Sequence, residues 1–205
     1  MFRWPMLAAL IPLVAAPAFA QPPGHDPDWP CIQRKVPELQ PAAVWSGPAI
    51  EDVLATWDQD PEVRDLVDEL ASRRIPLQDA QERVTQFAQS LDEAGREARL
   101  TAVFAGLFRT LDTERKQVIA GIERYGRKQK DLADAIRRET VALETLEAKP
   151  DADRQAIAEK ADQIMWSTRI FDERRASLSF VCEVPTLIEQ RFFTLARALQ
   201  AGLSG

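Results

Sequence analysis

Three features of the 205-residue chain predict an all-α fold built on a long antiparallel, coiled-coil-like helical hairpin. Apolar residues recur at alternating steps of four and three along residues 96–205, the chain turns back at Lys149-Pro150-Asp151, and no stretch alternates with the period of two that a strand needs. A 3.5-residue repeat sustained over many turns marks a coiled-coil seam rather than a one-sided surface helix. Neither seam is stable alone in water, so the two arms are expected to bury each other.

In chain order, residues 1–20 read as a cleavable signal peptide. Arg3 is the positive start, Met6 to Ala16 the apolar stretch, and Ala18-Phe19-Ala20 the small-x-small cleavage site, with the cut expected after Ala20. The segment is too short and too proline-interrupted for a bilayer-spanning helix, and no other stretch is apolar enough to be one. Its alanine-rich character and the preference for Arg over Lys point to a bacterial protein of the periplasm. The net charge of −6, one unit more negative without Arg3, argues against nucleic acid as a partner.

Residues 21–48 carry seven prolines, which excludes a helix and predicts an extended strap. Trp29, Ile32, Val36, Leu39 and Trp45 are the residues it can press onto the helices. The chain has two cysteines, Cys31 and Cys182, and an even pair in an exported protein reads as a disulfide. That bridge would pin the strap to the second arm. A redox role lacks the close Cys-x-x-Cys spacing.

Residues 49–95 are expected to form a head of three short helices. Ile50, Val53, Leu54 and Trp57 suggest the apolar face of the first. Asp60-Pro61-Glu62 opens the second with an N-cap, a proline at the first helical position and an acid in the first turn. The third starts at Pro76, turns Leu77, Ala80, Val84, Phe87, Ala88 and Leu91 inward, and stops at Gly95. Asp58, Asp60, Glu62 and Glu69 fall at calcium-loop spacings, but Val63 stands where such a loop needs glycine. Helix capping accounts for these acids, and no metal or cofactor is expected.

The first arm of the hairpin places Phe104, Phe108, Leu111, Val118, Ile122, Tyr125, Leu132, Ile136, Leu143 and Leu146 on its seam, with Arg115, Gln129 and Glu139 interrupting. The second runs through Ile157, Ala161, Ile164, Thr168, Phe171, Arg175, Leu178 and Val181 to Ile188, Phe192, Leu195 and Leu199. Polar residues in a seam fix register and partner number. Arg115 is expected to reach Glu183 or Glu189, Gln129 to approach Asp172, and Glu139 to pair with Lys160. A seam left open would instead invite a homodimer.

Two features at mid-hairpin are candidates for function. Gly121 and Gly126, with Ala176, Ser177 and Ser179 on the facing arm, form a small-residue patch that permits close packing or a docking groove, with the strap as one occupant. Arg124, Tyr125, Arg127, Lys128, Arg174 and Arg175 form a basic band able to meet an acidic partner or an anion. Interleaved acids such as Glu123, Asp131 and Glu173 argue that part of it is ordinary surface pairing.

Catalysis is not expected. His25, the sole histidine, lies in the proline-rich tail, and Cys182 is assigned to the disulfide, so neither a Ser-His-Asp nor a Cys-His arrangement can be built. The expectation is a non-enzymatic scaffold that docks another envelope or periplasmic protein. The alternative is a periplasmic module binding a small molecule or anion in a mid-hairpin pocket. Exposed apolar residues off the seam, among them Val103, Leu107, Ile119, Trp166, Ile170 and Phe193, are further contact candidates. In shape the hairpin resembles envelope adaptors and holdase chaperones, with no motif in support.

Overall fold

The computed structural model describes residues 26–204; the expected leader and His25 lie outside that range. The described residues contain helices and turns and no strand. Helix α1 spans Pro61–Ala71, α2 Leu77–Ser90, α3 Glu93–Glu147 and α4 Arg154–Leu203. Helices α3 and α4, of 55 and 50 residues, lie antiparallel as the predicted hairpin. At 1.5 Å per residue the arms extend roughly 75–83 Å.

Each helix start has a local cause. Asp60 caps α1 by accepting hydrogen bonds from the amides of Glu62 (2.9 Å) and Val63 (3.4 Å), so this acid holds a helix end. Asp92 accepts from the amide of Gly95 at 2.7 Å and opens α3 three residues before Arg96. Gly95 therefore lies in the first turn of the long helix, and α2 stops earlier, at Ser90. Asp153 caps α4 on the far side of the Pro150 turn.

The first of the three short helices does not form. Residues 51–56 make a run of turns, followed by a 3-10 turn at Trp57–Gln59. The interval between Pro48 and Pro61 is too short to sustain a helix unaided, and contacts with α3 settle its shape. The indole of Trp57 packs against Gly106, and the Leu54 carbonyl accepts a hydrogen bond from Arg109 at 3.2 Å. Gly106 is thus the seat for a tryptophan, because any Cβ there would collide with the ring.

The main core lies at the base of the hairpin. Val63, Val67 and Leu70 of α1 and Val84 and Phe87 of α2 pack against Leu100, Phe104, Leu107 and Leu111 of α3 and Ile188, Phe192, Leu195 and Leu199 of α4. Trp45 from the strap stacks on Phe104 with ring centroids 4.1 Å apart. Buried Arg191 ties α4 to the head, donating from Nε to the Leu70 carbonyl (2.6 Å) and from Nη1 to that of Ile75 (2.9 Å). These carbonyls terminate α1 and its following loop, so a cation placed there satisfies acceptors that the helix end leaves open.

Beyond the head the seam is half-buried, as two helices alone allow: Leu132, Ile136, Leu143, Ile157 and Ile164 are all of intermediate exposure. The polar interruptions close across it. Buried Arg115 reaches Glu189 at 3.3 Å and donates to the carbonyls of Pro185 (3.2 Å) and Val36. Lys160 pairs with Glu139. Gln129 donates to the Phe171 carbonyl at 3.2 Å and not to Asp172. Three residues expected on the second seam lie outside it: Thr168, Arg175 and Val181 are exposed. The register instead steps from Phe171 to Leu178, Cys182 and Pro185, which rotates Val181 away from the first arm.

Pro185 sits inside α4, where it removes one amide donor. Polar side chains gather on the carbonyls around it. Gln33 of the strap donates to the Cys182 carbonyl, and Arg115 to that of Pro185 itself. The helix continues through the proline, and these two bonds tie it at this level to the first arm and to the strap.

Candidate functional site at mid-hairpin

The strap reaches this level through the disulfide. Cys31 and Cys182 are bonded, with Cα atoms 5.6 Å apart, and both side chains are buried. Around them Trp29, Ile119 and Ile122 form a second small core, edged by Val118 and Leu178. The Trp29 indole nitrogen donates to the Gln33 carbonyl at 2.7 Å, which folds the strap over the bridge. Of the five apolar strap residues, Trp29 and Leu39 are buried and Trp45 is half-buried on Phe104, whereas Ile32 and Val36 face outward. Further down, buried Asp112 accepts from the Leu39 amide at 3.0 Å and pairs with Lys116 at 2.8 Å.

Gly126 is where the strap crosses α3. A Cβ on it would stand 2.6 Å from the Asp28 carbonyl oxygen and 3.1 Å from Pro30. Gly121 is different: the nearest group to an added Cβ is the end of the Arg124 side chain, at 3.8 Å. Ala176, Ser177 and Ser179 are exposed on α4. Close approach at this level thus brings Gly126 against the strap and leaves Ala176, Ser177 and Ser179 facing outward.

The basic band divides into two sets. Asp28 takes Arg127 at 3.0 Å and Lys130 at 3.3 Å, and Lys130 also donates to the Pro27 carbonyl. Hydrogen bonds from Arg127 first and Lys130 second hold the Asp28 carboxyl below its ordinary range. Lys35 joins Asp26 (2.6 Å) and Glu123, which lowers Asp26 and raises Lys35. The second set is Arg124, Lys128, Arg174 and Arg175, all exposed and without an ion pair among the described residues. Arg124 and Lys128 are one helical turn apart on α3. Tyr125, between them, donates from its hydroxyl to the Arg174 carbonyl at 3.0 Å and so fixes the two arms relative to each other.

Under the strap is a cavity of about 190 Å³, lined by Pro27, Pro30, Gly126, Gln129, Ala133 and Phe171 among others. A larger opening, about 370 Å³, lies at the hairpin base between Thr85, Ala88, Arg96, Ala198 and Gly202. Of the residues lining it, Ala88 is expected from the sequence as part of the inward face of its helix, and the small residues near the end of α4 carry no periodic signal. Of the six off-seam contact candidates, Val103, Leu107 and Ile119 are buried, Phe193 is half-buried in the main core, Ile170 is half-buried, and Trp166 is exposed.

Comparison with known proteins finds no matching family model, no matching curated protein and no matching solved structure. The geometry therefore carries the functional reading alone.

Proposed function

We propose that the protein is an exported, non-enzymatic docking scaffold of the bacterial periplasm, which offers its mid-hairpin level to the acidic surface of another envelope protein. One observation carries this reading. After the strap has engaged Arg127 and Lys130, the cations Arg124, Lys128, Arg174 and Arg175 remain unpaired among the described residues on two mutually fixed helices. Cations held on a rigid platform gain more from a complementary surface than cations that must first be ordered.

Several features support the rest of the proposal. The N-terminal twenty residues have the pattern of an export signal, and the cysteines are bonded to each other as export would favour. No described helix is long and apolar enough to cross a membrane. Replacing both Arg124 and Lys128 by Glu tests the face. The helical circular dichroism should persist, because neither side chain holds the fold, while co-purification of the bound envelope protein should fall at least tenfold. Undiminished co-purification would remove this face from the proposal. A melting temperature raised by inorganic phosphate and lowered in affinity by the same pair of changes would favour the anion-binding reading instead.

A further inference from the structure

On the outer side of α4, away from the hairpin seam, a second heptad row stands partly uncovered. Trp166, Phe180 and Leu187 fall in register at multiples of seven and are 61%, 74% and 51% exposed. Half-buried Ile170, exposed Ser177 and Val184, half-buried at the edge of the main core, fill the intervening steps of four and three, and Glu173 interrupts, its carboxylate held by Arg169 at 2.9 Å. The row covers about 32 Å of helix. One helix cannot bury such a row by itself, and a spacing of 3.5 residues asks for another helix.

The row reads as its own complement. Opposed to itself antiparallel, with the first and fourth heptad positions meeting, it sets Trp166 against Val184 and Ile170 against Phe180, each contact occurring twice. Ala176 and Ser177 fall beside the two-fold axis, where small side chains let two helices approach closely, and Arg174 flanks the axis on the other side. On the flank, Arg169 comes within reach of Glu183, which is exposed and makes no ion pair among the described residues. A parallel arrangement would place Arg169 beside Arg174 and Phe180 beside Phe180, losing the charge match. Antiparallel pairing also sends the two heads to opposite ends.

We propose that the protein self-associates through this row, as a two-fold dimer in which the α4 helices of two copies cross near Ser177. The row includes neither Arg124 nor Lys128, although Arg174 and Arg175 of the docking level fall within its span on α4.

Sedimentation equilibrium of the oxidised mature protein tests the proposal. The wild type should run as a dimer, and Phe180→Glu should run as a monomer with unchanged helical circular dichroism. Arg169→Glu should weaken the dimer at least tenfold, and adding Glu183→Arg to it should restore the association. A spin label on Ser177→Cys should report a short distance between copies, since the native cysteines are bonded and take no label. A monomeric wild type, or a dimer indifferent to Phe180→Glu, would overturn the proposal. Failure of the paired charge exchange to restore the dimer would overturn the antiparallel register. A monomer that still captures an envelope protein would leave the docking function standing.

Discussion

A Cβ at Gly126 would meet the backbone carbonyl of Asp28, which the neighbouring disulfide keeps from retreating, whereas a Cβ at Gly121 would meet only the mobile end of Arg124. The two glycines thus give opposite expectations for one change. Gly121→Ala should stabilise the protein by up to about 1 kcal/mol, the helix-propensity gain. At Gly126 the same gain is opposed by an overpacking cost of about 1–3 kcal/mol, so Gly126→Ala should be destabilising or, at the lowest cost, neutral. Urea denaturation of the two variants side by side is the check, and equal stabilisation by both would show that the strap does not press on α3. From the sequence the two positions look alike, because both are glycines inside a helix pattern. Only the path of the proline-rich segment separates them, and an extended segment carries no periodicity from which to read its path.

The elements were legible in proportion to their periodicity. The hairpin could be read because its apolar steps persist for a hundred residues, and the Cys31–Cys182 bridge because an oxidised pair leaves no alternative partner. Ile50 to Trp57 has a helical spacing too, yet tertiary contacts with Gly106 and Arg109 hold it as turns. Pro185 gives no helix break: α4 runs through it, while Arg115 and Gln33 donate to the Pro185 and Cys182 carbonyls from the first arm and the strap. The division of the basic band was also hidden: Asp28 selects Arg127 and Lys130 across a sequence gap of about a hundred residues, which no local pattern reports.

At this scale the strap is held by one covalent bond and a set of ion pairs, and the two can be separated. A bridge joining residues 151 apart constrains the unfolded chain by at most about 5 kcal/mol. Replacing both cysteines by Ser should lower stability by about 2–5 kcal/mol in a urea melt while leaving the helical signal of α3 and α4 intact. Loss of the helical signal under native conditions would contradict the view that the seam folds on its own.

The ion pairs respond to pH. Asp28 and Asp26 have folded pKa values below the usual Asp value of about 3.9, through hydrogen bonds from Arg127 and Lys130 and from Lys35. A lowered carboxyl contributes stability that is present above its unfolded value and disappears as pH falls through the folded one. Lys35 is raised, so its share is lost only above the usual lysine value of about 10.4. Stability should therefore decline on acidification from about pH 5 to pH 2, and Asp28→Asn should flatten that decline. An unchanged slope in Asp28→Asn would mean that its pairs with Arg127 and Lys130 are not populated in solution.

For the whole molecule, the arrangement places its rigidity and its exposed chemistry at different levels. The head and the base of the hairpin hold the large core, with Arg191 binding α1 to α4. The strap stiffens the middle, and the distal arms are a two-helix seam of half-buried residues. An acidic protein with a fixed cluster of unpaired cations is suited to meeting one acidic surface while repelling others. The measurement that tests this most directly is photo-crosslinking in the native compartment from a probe replacing Lys128, compared with the same probe at Arg34 on the strap. The account predicts one recurrent envelope protein joined from Lys128 and not from Arg34, identified by mass spectrometry of the adduct. Equal labelling of many proteins from both positions, or no adduct from Lys128, would contradict it.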